Sequence, residues 1–120
     1  MSKRTLVVGA SLKLDRYSNI AVIKLLSGGH DVVAYGFQDG EINGLKIDTK
    51  MVVYENINTV TMYLSPLRQK AYYNYIISLN PKRVIFNPGT ENPEFYQLLR
   101  NNDIEVDVAC TLVLLSTNQY

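Results

Sequence analysis

The chain has 120 residues, of which 47% are hydrophobic and 19% are charged. This length suits one compact domain over residues 1–120 and is too short for two hydrophobic cores. Twelve Lys and Arg against eleven Asp and Glu leave a formal net charge of +1, which argues against a nucleic-acid or anionic-membrane partner.

One cysteine is present, so an intramolecular disulfide and a cysteine-based metal cage are both excluded. The sequence shows neither a signal segment nor an apolar run of about 18 residues. We therefore expect a cytoplasmic protein.

The first elements predicted are a strand, a helix and a second strand. Residues 5–8 are continuously apolar and β-branched, which is typical of a strand covered on both faces, and Gly9 ends them. Ser18 is the predicted N-cap of an apolar helix over residues 20–26, which ends at Gly28 and Gly29. Residues 31–35 then complete a parallel strand-helix-strand unit.

The middle of the chain gives weaker signals. Asn43 and Gly44 predict a turn between Ile42 and Leu45, residues 51–54 predict a short edge strand, and no helix is expected over residues 38–59.

The remaining elements again alternate. Residues 60–64 predict a strand, and Ser65 and Pro66 predict the start of a helix whose apolar face includes Tyr72 and Tyr75. The later predicted elements are a strand over 83–87, a helix from Asn92 and Pro93, a strand over 104–108, and a segment at 111–115 that suits either helix or strand.

This alternation predicts an α/β fold: a Rossmann-like, three-layer open sheet, mostly parallel, with five to six strands and helices on both faces. In such sheets ligands bind beyond the C-terminal ends of the strands, so the loops that follow the strands are the candidate site.

The loop after the first strand is the most informative. Gly9 permits a tight turn and a close backbone approach, and Ala10 and Ser11 are small. Free amides near Ser18 and Asn19, at the start of the helix, would favour a phosphate, and Arg16 could add a charged fork. An ordinary strand-to-helix connection is the alternative interpretation of the same residues.

Several nucleotide-binding classes are disfavoured. The Gly-x-Gly-x-x-Gly fingerprint is missing, and Tyr35, Gly36 and Phe37 stand where a dinucleotide site would carry an acidic residue. No P-loop Gly-Lys-Ser or Gly-Lys-Thr occurs.

The chain resembles the stand-alone CoA-binding proteins, relatives of the CoA-binding domain of succinyl-CoA synthetase. Val8-Gly9-Ala10-Ser11 is similar to that family's opening motif, and Arg16-Tyr17-Ser18 matches its basic-aromatic-Ser pattern. The Gly29 to Val32 stretch, the Ile42-Asn43-Gly44 turn, the Pro88-Gly89 pair and Cys110 follow in family order. Tyr35-Gly36-Phe37 departs from the family's usual Val-Asn-Pro.

The resemblance implies a small module that binds coenzyme A or an acyl-CoA and performs no catalysis. The implied contacts are Gly9, Ala10, Ser11, Ser18 and Asn19 for the phosphates, Arg16 as charge partner, Gly36 and Phe37 for the nucleotide, and Leu64, Ser65, Asn87 and Gly89 for the remaining wall. Phe37 could stack on the purine or fill its pocket.

Two alternatives stay open. One is a Rossmann-type enzyme that uses another nucleotide such as NAD(P), with catalytic groups from residues 87–94. The other is a partner-binding domain whose ancestral pocket has closed. Apolar or Tyr-rich helix faces could support a homodimer, but no interface pattern is evident.

The remaining reactive residues carry no predicted catalytic or metal site. His30 precedes the second strand and so belongs at the opposite edge of the sheet. Cys110 could face the crevice or be a small buried apolar residue. Asp15, Glu91 and Glu94 lie near the crevice loops, but nothing in the sequence fixes their mutual distance; surface pairing accounts for Asp15 and the helix dipole for Glu94.

Overall fold

Seven strands form one open sheet in a computed structural model that describes residues 3–120. The order across the sheet is β3-β4-β2-β1-β5-β6-β7, and every neighbouring pair is parallel except the hairpin β3-β4. The strands are β1 Thr5–Val8, β2 Val32–Tyr35, β3 Gly40–Ile42, β4 Leu45–Asp48, β5 Thr59–Met62, β6 Arg83–Phe86 and β7 Glu105–Val108.

The helices cover both faces of this sheet. They are α1 Tyr17–Ser27, α2 Pro66–Gln69, a 3-10 helix Lys70–Tyr72, α3 Tyr73–Ser78, α4 Pro93–Asn101 and α5 Thr111–Ser116. The helix predicted after Ser65 is divided, because Tyr72 leaves the helical region with φ −111° and ψ 0°. In the described part of the chain, no helix is both long and apolar enough to span a membrane.

Alternating side chains of the buried strands contribute to two hydrophobic cores, one on each face of the sheet. Leu6 and Val8 of β1 pack with α3 and α4 on one face, whereas Val7 packs with α1 on the other. All four residues of β1 are buried, so the strand contributes side chains to the hydrophobic cores on both faces of the sheet. This explains why residues 5–8 are continuously apolar.

The Rossmann-like α/β class is confirmed, but the strand count is seven rather than five to six. The additional pairing comes from the turn at Asn43 (φ 48°) and Gly44 (φ 84°), which joins β3 to β4. Because β4 takes the place beside β2, the predicted edge strand at residues 51–54 is wrong, and that segment is irregular. The ambiguous segment at 111–115 is helical.

The direction of strand addition reverses at β1. The chain builds outward from β1 through β2 to β4, then returns to the other side of β1 and continues through β5, β6 and β7. The loops that follow β1 and β5 therefore diverge and leave a crevice between them, at the C-terminal edge of the sheet.

Candidate anion-binding cavity

An open cavity of about 690 Å³ occupies the crevice at the C-terminal edge of β1 and β5. Its walls come from the loops that follow β1, β2, β5 and β6. The lining residues are Gly9, Ala10, Ser11, Lys13, Arg16, Tyr17, Ser18, Phe37, Gln38, Tyr63, Leu64, Ser65, Arg68, Pro88, Gly89 and Thr90.

Gly9 shapes the floor of this cavity. Its φ of +96° is a conformation that other L-residues rarely adopt, and a β-carbon there would lie 3.0 Å from the carbonyl carbon of Tyr63. At the floor of the crevice, before the two loops diverge, the backbones directly after β1 and β5 approach each other closely, and this is possible only because residue 9 has no side chain.

The amides of Gly9 and Ala10 are not available to a ligand. Both donate to the carbonyl oxygen of Tyr35, each at 2.9 Å, and so attach the first loop to the end of β2. This corrects the expectation that their backbone donors would hold a phosphate.

In the stretch from Gly9 to Ser18, three other amides of cavity-lining residues have no acceptor within residues 3–120. They belong to Ser11, Tyr17 and Ser18. The amide of Asn19, which was also expected to be free, donates to the carbonyl oxygen of Arg16 at 3.0 Å. Of the five predicted phosphate contacts, Ser11 and Ser18 thus have an available amide, and Tyr17 offers one that the sequence did not predict.

Helix α1 begins two residues earlier than predicted. Arg16 is the N-cap, with φ −79° and ψ 139°, and Ser18 lies inside the first turn. Since an arginine side chain has no acceptor with which to cap the helix, the amides of Tyr17 and Ser18 keep their donors for an external group. The positive end of the helix dipole points to the same space.

The cavity is strongly cationic for a chain of net charge +1. Lys13, Arg16 and Arg68 line it, and none of its lining residues is a carboxylate. The neighbouring Asp15 forms no ion pair with these cations within residues 3–120. The arrangement favours an anion with more than one negative charge.

Of the twelve predicted site residues, nine line the cavity and three do not. The nine are Gly9, Ala10, Ser11, Arg16, Ser18, Phe37, Leu64, Ser65 and Gly89. The other three, Asn19, Gly36 and Asn87, are in positions where they support the loops instead.

Asn19 and Gly36 both shape the first loop. The Asn19 side chain is buried, and its Nδ2 donates to the carbonyl oxygen of Ser11 at 2.9 Å. At Gly36, a β-carbon would come within 2.3 Å of the carbonyl oxygen of Ala10. The absent side chain of Gly36 therefore allows the loop to pack against the end of β2.

Asn87 is a buried connector. Its Nδ2 donates to Thr61 Oγ1 and to the carbonyl oxygen of Met62, both at 2.8 Å, and its Oδ1 accepts from the amide of Thr111 at 2.8 Å. All of these partners lie inside the protein, so Asn87 joins β5, β6 and α5 and does not face the ligand space.

A second buried amide fixes the wall formed by the loops after β5 and β6. Gln69 is fully buried, and its Nε2 donates to the carbonyl oxygens of Leu64 at 2.9 Å and Thr90 at 2.8 Å. Its Oε1 accepts from Asn92 Nδ2 at 2.9 Å. Two loops that line the cavity are thereby held together from behind.

Phe37 lies at the rim and leaves the cavity open. Its side chain is 52% exposed, and the Arg68 guanidinium carbon lies 5.2 Å from its ring centroid. The sequence left open whether Phe37 stacks on the purine or fills the purine pocket, and in the structure it does not fill the pocket.

The sequence missed part of the lining for identifiable reasons. Because β5 ends at Met62, two residues before the predicted end of that strand, Tyr63 joins the loop and faces the cavity. From its helical position, Arg68 is predicted to be a solvent-exposed helix residue. Its place in the cavity depends on the position of α2 beside Phe37, which a single sequence does not show. The other lining residues not predicted are Lys13, Tyr17, Gln38, Pro88 and Thr90.

The lining holds no histidine, cysteine or carboxylate. Burial raises the pKa of Tyr63 to about 12, so its phenol stays protonated at neutral pH. His30 lies at the N-terminal edge of the sheet as predicted, where its Nδ1 accepts from the amide of Lys3 at 3.0 Å. Cys110 is half-buried and does not line the cavity.

Comparison with known proteins decides the family. The family model described as "CoA binding domain" matches residues 3–116. The chain belongs to the CoA-binding domain family. The resemblance seen in the sequence is thereby confirmed over nearly the whole chain.

Solved structures similar to this CoA-binding domain share its fold. A crystal structure of an uncharacterized protein is 45% identical, with a TM-score of 0.98, and the alignment covers 100% of this chain and 99% of that one. A hypothetical protein from Pyrococcus horikoshii OT3 is 26% identical, with a TM-score of 0.86 and coverage of 97% and 83%. A Thermus thermophilus protein, cell-free ID.343, is 22% identical, with a TM-score of 0.85 and coverage of 99% and 91%. The search of curated proteins found no match to this chain.

Proposed function

We propose that this CoA-binding domain is a non-catalytic module that holds coenzyme A or an acyl-CoA, with the pyrophosphate at the loop between β1 and α1. The observation that carries the proposal is an open crevice at the reversal point of the sheet, lined by three cations and no carboxylate. The family supports CoA as the ligand.

The pyrophosphate is assigned to the β1-α1 loop because donors and charge coincide there. The amides of Ser11, Tyr17 and Ser18 have no acceptor within residues 3–120, and Lys13 and Arg16 belong to the same loop. Charge-assisted hydrogen bonds of this kind are stronger than neutral ones, particularly when a helix dipole adds to them.

Binding without chemistry is proposed because the lining offers no group suited to proton transfer. General acid-base catalysis works best with a pKa near the working pH, whereas the buried Tyr63 phenol has a pKa raised to about 12. A serine such as Ser11 or Ser65 would need an adjacent base to act as a nucleophile, and the lining has none.

Calorimetric titration with CoA, NAD and ATP tests the ligand. We expect CoA to bind in preference to NAD. Arg16→Gln should weaken CoA binding roughly tenfold, since a hydrogen bond to a charged group contributes about 1.5 kcal/mol. Lys82→Gln is the matched control, because Lys82 is an exposed cation just before β6, at the opposite edge of the sheet. Preferential binding of NAD, or no binding of CoA, would overturn the proposal.

A thioester assay tests the absence of chemistry. The protein is incubated with acetyl-CoA, and free thiol is measured with a chromogenic disulfide reagent. We expect release at the buffer rate, unchanged by the protein. Thiol release that continues with time at a rate proportional to protein concentration, beyond the one equivalent that the free Cys110 can contribute, would show a catalytic activity and contradict this part of the proposal.

A further inference from the structure

Phe37 and Arg68 form a contact across the cavity that the family assignment does not explain. Phe37 follows β2 and Arg68 lies in α2 after β5, and β1 separates these two strands in the sheet. Strands in a sheet are about 4.8 Å apart, so the ends of β2 and β5 are separated by about 9.6 Å. A contact of 5.2 Å between their loops must therefore arch over the end of β1, where Gly9 and Ala10 lie.

The two partners are held unequally. The edge of the Tyr35 ring packs against Phe37, with centroids 6.4 Å apart, and the hydroxyl of Tyr35 forms a 2.8 Å hydrogen bond with that of Tyr72. Arg68 is exposed and forms no ion pair within residues 3–120. Phe37 is thus the supported partner, and Arg68 is the partner that can move.

A purine cannot insert between the two groups as they stand. Stacking on both sides would need about 7 Å between ring and guanidinium, and the observed separation is 5.2 Å. A purine that stacks on Phe37 must displace Arg68, and a cation-π contact at an exposed position is weak enough to be displaced.

We propose that Arg68 is a specificity-determining residue. When the ligand binds, Arg68 moves away from the ring of Phe37, and the purine stacks there in its place. The Arg68 guanidinium then pairs with a phosphate on the ribose, which is distinct from the pyrophosphate. This inference rests on the proposed function. Two of the cavity's three cations, Lys13 and Arg16, belong to the pyrophosphate loop, whereas Arg68 comes from the opposite wall, beyond Gly9. The cavity thus draws its cations from two different parts of the fold, and an aromatic ring lies beside the cation from α2. This arrangement selects a nucleotide that carries a ribose phosphate in addition to its pyrophosphate.

The test compares CoA with 3′-dephospho-CoA, which lacks only the ribose phosphate. By calorimetry, the natural protein should bind CoA about tenfold more tightly. Arg68→Gln should remove this preference by weakening CoA alone, while 3′-dephospho-CoA binds at least as tightly as it does to the natural protein, because its purine no longer has to displace Arg68. Phe37→Leu should weaken both ligands by a similar factor, because both carry the purine.

Arg100→Gln is the matched control. Arg100 also lies over an aromatic ring, that of Tyr96 at 5.8 Å, but it is on α4 and does not line the cavity. This variant should keep both affinities. If CoA and 3′-dephospho-CoA bind the natural protein equally, or if Arg68→Gln weakens both by the same factor, the role of Arg68 is overturned while the proposed function stands. If neither ligand binds the natural protein, the proposed function fails, and this inference fails with it.

Discussion

Gly36 faces the carbonyl oxygen of Ala10 so closely that an added β-carbon would come within 2.3 Å of it. The obstacle is backbone, which cannot rotate away as a flexible side chain can. Gly36→Ala should therefore destabilise the protein by about 1–3 kcal/mol, the usual range for overpacking. It should also weaken CoA binding, because the displaced loop carries Ser11. Urea unfolding and calorimetry measure the two effects.

Gly28→Ala is the control for this substitution. Gly28 has an ordinary φ of −80°, and the nearest heavy atoms to an added β-carbon would lie 3.4 Å away, so there is room for a methyl group after a small adjustment. Its stability should change by less than about 0.5 kcal/mol. Equal stabilities of the two variants would show that the contact at Gly36 does not constrain the loop.

At the scale of the elements, Asn87 joins three of them through one side chain. Asn87→Ala would leave the Thr111 amide and the Thr61 hydroxyl without this partner inside the protein. Each buried group left unpaired costs about 1–3 kcal/mol, so we expect a loss on the order of 3 kcal/mol in unfolding free energy. Hydrogen exchange of the Thr111 amide should accelerate in the same variant.

Gln97→Ala provides the comparison for Asn87→Ala. Gln97 makes a side-chain hydrogen bond of 2.9 Å to Asn101, but on the exposed surface of α4. Water replaces the lost partner there, so the change should stay below about 0.5 kcal/mol. A loss from Asn87→Ala as small as this would mean that Asn87 does not connect the elements as the structure indicates.

Elements were predictable from the sequence where one local signal fixed them. β1 and β6 each contain a run of three apolar residues bounded by polar or turn residues, and their predicted positions agree with the structure to within one residue. The segment at 51–54 has the same local character, yet it has no strand partner because β4 already occupies the place beside β2. Pairing of this kind depends on residues far apart in the chain, which local periodicity does not report.

The same limit applies to the site. Gly9 was recognisable because a glycine directly after a buried strand permits a tight turn and a close backbone approach. The direction of an amide or the position of Arg68 beside Phe37 depends on how loops from different strands meet. The sequence thus predicted which loops form the cavity better than it predicted which atoms face it.

At the scale of the whole molecule, the two edges of the sheet differ in chemistry. The C-terminal edge holds the open cationic cavity, whereas the N-terminal edge is packed around Tyr120. The ring of Tyr120 lies 5.0 Å from that of His30 and 4.6 Å from the Arg83 guanidinium carbon, and its hydroxyl forms a 2.5 Å hydrogen bond with Thr5. Lys3 also donates to the main-chain oxygen of Tyr120. Cations and aromatic rings therefore pack against one another at this edge.

The N-terminal edge should make stability depend on pH through His30. Burial, together with the charges of Lys3 and Arg83, holds the pKa of His30 below its ordinary value of 6.5. As the pH falls through 6.5, the unfolded chain takes up a proton before the folded protein does, so the free energy of unfolding decreases. Above that pH the imidazole is neutral in both the folded and the unfolded state, and His30 adds no pH dependence.

Urea midpoints at about pH 7.5 and 5.5 should therefore differ in the natural protein and differ less in His30→Gln, since the chain has one histidine. An identical loss of stability in both proteins would assign the pH dependence to other groups.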